Sequence, residues 1–352
     1  MSTIYVLDYE YVTAYDLYPD GTLKQKGKPL QANGAKRLAL NIANPRSPIL
    51  YAVGDESPTG RFHTYKVGAS SGDIQPPTDG ITYAGGSADS KSKPMPSRSL
   101  SAAAYANSQS ILYVAGGTPV NVIPFAYNNS ELATTESSPP SDLYDVSFVQ
   151  LRSALNFVFA ISTNGSESAL ALWQGSVFPT ISEQYRQQQT NDDGYIFRSF
   201  TVVSTGARVC YVLATDDKNN ISILPFQWST TPTLSPSSEP IPLDRSYPER
   251  GSLEVTSSSD GKYLYVGSLG EVTSYSLEDP MRPRPISAQQ VSRSEDFRLE
   301  LLGTSGSSYL VACGRDSARL NTYAVSPRGT ISPPKTTLIP HPCIDIAIFD
   351  TP

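Results

Sequence analysis

The sequence predicts an all-β protein, a seven-bladed β-propeller of four-stranded antiparallel blades forming one domain over residues 1–352. Three observations predict it. The composition (21 Tyr, 29 Pro and 24 Gly in 352 residues, 39% hydrophobic) favours strands and turns, and no long stretch places apolar residues at helical spacing. A short apolar run recurs seven times, at intervals of about 45 to 62 residues, the period of propeller blades and similar repeats. The two chain ends complement one another as the two parts of a single blade.

The recurring run is the second strand of each unit: "IYVLD" (4–8), "ILYAVG" (49–54), "ILYVAGG" (111–117), "FVFAIS" (157–162), "VCYVLA" (209–214), "YLYVG" (263–267) and "YLVACG" (309–314). A third strand follows, in which an apolar residue precedes an aromatic by three positions. The pairs are Val12/Tyr15, Phe62/Tyr65, Val122/Phe125, Leu170/Trp173, Ile223/Phe226, Val272/Tyr275 and Leu320/Tyr323. Trp173 and Trp228 occupy or adjoin this position and so belong to packing between sheets. The sixth unit shows all four strands in order: "SLEVTSSS", "YLYVGS", "EVTSYSL" and "ISAQQV". The first unit starts at its second strand, and after the seventh unit the chain adds one more alternating segment, "IDIAIFD" (344–350). That segment is the expected inner strand of the first blade, which removes the open edge a repeat array otherwise exposes.

Net charge is −6 with a pI near 5.1, which argues against a nucleic-acid surface. No apolar run approaches the roughly 20 residues a membrane helix needs, and "MSTIYVLDYEY" lacks the features of a secretory signal. Cys210, Cys313 and Cys343 are odd in number and widely spaced, and they read as buried free thiols. Asn128, Asn164 and Asn220 stand in N-x-[ST] sequons, which carry no weight without a secretory route. The expectation is a soluble cytoplasmic monomer.

The hairpins "AYDLYPDGTLK" (14–24), "TYKVGASSGDI" (64–74) and "TYAVSPRGTI" (322–331) share an aromatic, an apolar residue and a short turn ending in Gly. With the turn "SSDGKYLYVG" (258–267), they resemble the blades of lactonase-like propellers, the group of 6-phosphogluconolactonase and fungal carboxymuconate cyclase. The resemblance spans the chain as a pattern and specifies a blade rather than a reaction. The sequence is also compatible with fungal hetero-Diels–Alder cyclases that resemblance places on a propeller of this kind, and secondary metabolism is what that likeness implies.

Propellers bind at the channel mouth, so the links entering the inner strands hold the candidate site. Six of seven carry a cation or imidazole: Arg37, Arg98, Arg198, Arg250, Arg298 and His341. The seventh carries Tyr144 and Asp145, and Tyr195 and Phe297 supply apolar walls. Arg198, Arg250 and His341 are the candidate catalytic groups, and the other seven are substrate-binding. A ring of cations favours an anionic or electron-rich small molecule, although each Arg at such a position also pairs readily with the next blade. His63, inside a third strand, reads as structural. Recurrent acids after second strands (Asp8, Asp55, Asp216, Asp217, Asp316) are explained by turn chemistry.

No nucleophile elbow, zincin, phosphate-loop or dinucleotide motif is present. Two histidines and three scattered cysteines do not make a nitrogen- or sulfur-rich metal site. No cofactor is expected, with a carboxylate-bound calcium left open. The preferred reading is a cofactor-independent cyclase or hetero-Diels–Alderase that orients its substrate and polarises a carbonyl. Two alternatives stand: a lactonase or carboxymuconate-type lactone-forming enzyme, and a non-catalytic scaffold.

Overall fold

The structure, a computed structural model, describes residues 2–42, 46–54, 61–75, 82–84, 102–106, 111–116, 121–128, 131–134, 148–155, 157–164, 167–174, 186–191, 194–231, 233–237, 239–246, 253–268, 270–290, 297–304, 307–314 and 317–350. Within some strands only the backbone is described. The described strands form seven separate antiparallel sheets, and each is a meander from an inner to an outer strand. Blade 1 consists of Asp345–Asp350, Ser2–Leu7, Tyr11–Leu17 and Leu23–Gln31; blade 2 of Ala35–Asn41, Ile49–Gly54, Arg61–Val67 and Ile74–Gln75. Blade 3 runs Ala102–Ala106, Ile111–Gly116, Asn121–Asn128, Glu131–Thr134; blade 4 runs Phe148–Ala154, Phe157–Asn164, Glu167–Gln174, Arg186–Asn191. Blade 5 runs Ile196–Val202, Val209–Thr215, Asn220–Ser229, Thr233–Pro236; blade 6 runs Glu254–Ser257, Tyr263–Ser268, Glu271–Ser276, Arg284–Gln290. Blade 7 runs Phe297–Thr304, Ser307–Gly314, Ser317–Val325 and Lys335–Leu338. In blades 2 and 5 the outer position is shared by two short strands, because Thr82–Ala84 and Ile241–Ser246 pair with the other end of the third strand.

The inner strands touch in a closed cycle. Ala35–Asn41 contacts Ala102–Ala106, and the contacts continue blade by blade to Phe297–Thr304, which meets Asp345–Asp350, which returns to Ala35–Asn41. This is a β-propeller around a central channel. The C-terminal strand pairs antiparallel with the N-terminal one, from Ser2 opposite Asp350 to Leu7 opposite Asp345. The Ser2 hydroxyl donates to Asp350 Oδ1 at 2.7 Å, and the Ile344 N–H donates to the Leu7 carbonyl at 2.8 Å. The closure expected from residues 344–350 is made.

The apolar core lies between blades. One buried cluster joins Leu7, Val12 and Phe349 of blade 1 to Leu50 and Tyr65 of blade 2. Others join blades 4 and 5, 5 and 6, 6 and 7, and 7 and 1. The repeated third-strand aromatics Tyr15, Tyr65, Phe226, Tyr275 and Tyr323 are all buried in these clusters. Trp228 sits edge-on to Phe159 at 5.2 Å and donates its indole N–H to the Val203 carbonyl at 3.2 Å, a packing role.

Around the perimeter, a second-strand tyrosine reaches the hairpin of the next blade. Tyr5 donates to the Gly72 carbonyl at 2.8 Å, Tyr211 to Pro280 at 2.9 Å and Tyr263 to Pro327 at 2.8 Å. Tyr309 makes the same bond to Pro19 and so crosses from blade 7 to blade 1. Three of these four hairpins carry the repeated glycine, Gly21, Gly72 and Gly329, close against the neighbouring blade, and the Pro280 hairpin has none. A Cβ on Gly329 (φ +77°) would lie 2.3 Å from the Tyr263 ring, and one on Gly72 (φ +70°) would lie 2.2 Å from Thr3 Oγ1.

The cysteines correct the sequence reading. Cys210 is buried and free, but Cys313 and Cys343 are disulfide-bonded, with Cα atoms 6.0 Å apart. Thirty residues separate them in sequence, and ring closure brings the second strand of blade 7 against the link into the closing strand. The cytoplasmic expectation had rested partly on reduced thiols, and a disulfide removes that ground. No described helix is long and apolar enough to cross a membrane.

Candidate active site

Charged side chains converge on the channel from the inner strands of blades 1, 4, 6 and 7. In a short strand with alternating faces, residues two apart share a side. Gln150 and Arg152 on blade 4 alternate with buried Leu151, and Arg298 and Glu300 on blade 7 alternate with buried Leu299. Glu254 and Asp345 are the first residues of their inner strands. Glu254, Asp345 and Arg298 therefore lie at the end from which their strands enter the channel, and Gln150, Glu300 and Arg152 lie farther along theirs.

Glu254 is the hub. Its side chain is only 4% exposed. Its Oε1 accepts from Arg298 Nη1. Its Oε2 accepts from the Ser199 hydroxyl at 3.2 Å, with Arg152 Nη2 at 3.9 Å and Gln150 Nε2 at 3.5 Å. Gln150 Oε1 in turn accepts the Phe200 N–H at 3.0 Å, which ties blade 4 to blade 5. Asp345 Oδ1 lies 3.5 Å from Arg298 Nε, and its Oδ2 accepts the Leu38 N–H of blade 2 at 2.8 Å. One polar network thus reaches six blades.

Glu300 and Arg152 are its open end. Arg152 Nη1 donates to Glu300 Oε1 at 3.0 Å, and the two side chains keep 29% and 31% of their surface exposed. Arg152 Nε is buried and has no hydrogen-bond partner. Burial pushes the Glu300 carboxyl above its ordinary pKa; Arg152 pulls it back, and the charges of Asp345 and Glu254 add to the rise. Burial also works against the charge on Arg152, but Glu300 and Glu254 outweigh it and the guanidinium pKa is raised. Arg298 is held charged in the same way by Glu254 and Asp345. The result is a fixed cation beside a carboxyl that accepts and releases a proton at a higher pH than usual. Such a pair suits general acid–base chemistry on a carbonyl.

Of the residues singled out from the sequence, Arg298 belongs to this network. Arg198 is the extra residue of a bulge between Phe197 and Ser199, and its Nε donates to Thr215 Oγ1 of its own blade at 3.1 Å. Arg37 Nη1 donates to the Lys36 carbonyl at 2.9 Å. Tyr195 packs on the cluster between blades 4 and 5, and His341 is exposed in the link before the closing strand. Arg98, Tyr144, Asp145 and Arg250 lie outside the described residues, as does the side chain of Phe297. Among the described residues, two guanidiniums in the channel, Arg152 and Arg298, face three carboxylates, Glu254, Glu300 and Asp345; the expected ring of cations also includes Arg98 and Arg250, outside those residues. Reading the links missed Arg152, Glu254, Glu300 and Asp345. Their signal was a charge inside a strand expected to be buried, as in "RLELL" and "IDIAIFD".

Other candidate features resolve as structure. Asp8 Oδ1 caps a turn by accepting two N–H groups at 2.7 Å; Asp216 accepts from the Asn220 side chain at 2.8 Å and from the N–H groups of Asn220 and Lys218, and these bonds, the side-chain one most, lower its pKa. His63 Nε2 lies 3.2 Å from the Asn33 carbonyl. A groove of about 520 Å³ between blades 6 and 7 is lined by Lys262, Tyr263, Leu277 and Arg328 at the opposite face from the network. Tyr263 and Lys262 are already engaged there with Pro327 and Asp260. Among the described residues, no three His, Cys, Asp or Glu side chains are grouped to hold a metal ion.

Comparison with known proteins adds the fold's relatives. No family model matches the chain, and no curated protein matches it. Among solved structures, a candidate 6-phosphogluconolactonase from Bacteroides fragilis superposes with a TM-score of 0.66 at 13% identity, covering 99% of this chain and 98% of that one. A second, from Bacteroides uniformis, gives 0.67 at 12% identity with 99% of both chains covered. A hypothetical selenium-binding protein from Sulfolobus tokodaii gives 0.70 at 9% identity, covering 99% and 93%. At such identities the likeness is one of fold: the chain is a β-propeller with lactonase-like structural neighbours.

Proposed function

We propose that the protein is a cofactor-independent enzyme acting on a lactone in its channel, with Glu300 as acid–base and Arg152 as the electrophilic partner. The observation that carries this reading is the Arg152–Glu300 pair, 3.0 Å apart, partly exposed, its carboxyl pKa raised. The structural neighbours named as candidate 6-phosphogluconolactonases support the same class of substrate.

In hydrolysis, the Glu300 carboxylate takes a proton from water as the water oxygen bonds to the lactone carbonyl carbon. The carbonyl electron pair moves onto its oxygen, where Arg152 stabilises the negative charge. The intermediate collapses, the ring C–O bond breaks, and protonated Glu300 returns its proton to the departing alkoxide. Lactone and water become a hydroxy acid, and Glu300 ends as it began. Run backwards, the same groups close a lactone ring. The cyclisation reading gains no support from the described residues, since the Arg198 hydrogen bond runs to Thr215 within its blade and His341 is exposed.

The test is the rate of hydrolysis of glucono-1,5-lactone, corrected for its spontaneous opening, for wild type and Glu300→Gln. General acid–base catalysis contributes about 10²–10⁴-fold, so the variant is expected to lose at least about 100-fold in kcat. An unchanged kcat overturns the assignment.

A further inference from the structure

We infer that the channel site selects uncharged or cationic substrates and rejects phosphorylated ones; this rests on the reading that the reaction takes place beside Glu300. The named neighbours suggest a phosphosugar, but the electrostatics here point the other way. Phosphate recognition needs guanidinium forks free to donate. Arg298 spends Nη1 on Glu254 and Nε on Asp345, while Arg152 spends Nη1 on Glu300 with Nη2 turned toward Glu254. A phosphate dianion would have to displace a carboxylate from one of these forks and leave it buried without its partner, which is strongly unfavourable.

The local charge agrees. Among the described residues three carboxylates face two guanidiniums, and the whole chain carries a net charge of −6, a balance that opposes anions at long and short range. What the site offers instead suits a neutral acceptor. The partly exposed Glu300, with its raised pKa, carries a proton over a wider pH range than an ordinary glutamate, which suits a carbonyl or hydroxyl oxygen without charge.

Two measurements on the full-length protein test this together. In the first, kcat/KM is compared for glucono-1,5-lactone and its 6-phosphate at pH 7. The unphosphorylated lactone is expected to lead by at least about tenfold, with the gap narrowing as salt screens the repulsion. In the second, 6-phosphogluconate is titrated calorimetrically, and no saturable binding is expected below about 1 mM. A preference for the phosphorylated lactone, or saturable 6-phosphogluconate binding that is lost in Arg298→Met, overturns the inference. If neither lactone is hydrolysed, the proposed reaction falls, and the calorimetry still decides the charge selectivity. Glu300→Gln removes one of the three carboxylates and is expected to strengthen 6-phosphogluconate binding over wild type.

Discussion

The axis and the perimeter of this propeller hold neighbouring blades together by different physics. At the perimeter, the contacts repeat: a tyrosine hydroxyl reaches a hairpin carbonyl, and a glycine admits the neighbour's side chain. At the axis, six blades join the described network through unlike groups: glutamates, arginines, a glutamine, a serine, an aspartate or only a backbone N–H. A repeated contact answers a need that every blade shares, which is cohesion. An unrepeated cluster of charge needs another reason, because a buried ionic network is weak support for stability when well-packed apolar residues would serve as well. The seam between blades 7 and 1 combines both modes. Tyr309 bridges it outside, Arg298 and Asp345 bridge it inside, and the Cys313–Cys343 disulfide lies between.

The comparison is broken most severely at its hub. Glu254→Ala leaves Arg298 and Arg152 buried without their shared partner, and the expected loss is about 3–5 kcal/mol, read as a lowered denaturation midpoint with an unchanged slope. Next is the seam. Replacing both Cys313 and Cys343 with serine opens a cross-link between residues 30 apart, and the chain-entropy model gives about 3.6 kcal/mol. Reducing agent is expected to reproduce that shift in wild type and leave the double variant unmoved.

The perimeter is tested with smaller changes. Gly329→Ala combines a left-handed backbone with a clash against the Tyr263 ring, and about 1–3 kcal/mol is expected from thermal unfolding. The smallest effect comes from a matched pair. Tyr211→Phe removes a hydroxyl bonded to Pro280 and is expected to cost about 1 kcal/mol. Tyr265→Phe removes a buried hydroxyl with no partner and is expected to be neutral or stabilising. If both cost the same, the tyrosine hydrogen bonds are not what holds the perimeter.

The same contrast explains what could be read from the sequence. The blade pattern was legible because cohesion repeats: Val272/Tyr275 and Leu320/Tyr323 fill equivalent places between sheets, and each hairpin glycine marks the same close approach. The closing strand was legible because its alternation lacked a blade of its own. The site was mostly illegible. Arginines in the links drew attention by their number, yet Arg198 is bulged out of register and bonds back to Thr215, which single-sequence reading does not reveal. Glu254, Glu300 and Arg152 each look like an isolated charge in a strand, and only closure of the ring sets both carboxylates within 4 Å of Arg152. The disulfide was hidden for the same reason, since its two cysteines meet only across the seam.

Within one network, Glu254 is the structural hub and Glu300 the chemical end. Because the folded-state pKa of Glu300 is raised, its contribution to stability is fully present below its unfolded value of about 4.3 and is lost as pH rises through the folded value. Glu300→Gln removes that loss, so the variant should hold its stability at pH 7 while wild type declines above about pH 4.3. The most direct test therefore measures lactone turnover per folded molecule and the unfolding midpoint from pH 4 to 8 for wild type and Glu300→Gln. The expected variant is at least as stable as wild type at pH 7 and at least about 100-fold less active. A variant that unfolds more readily at pH 7 while keeping its turnover per folded molecule would make the whole network a structural tie and contradict the assignment.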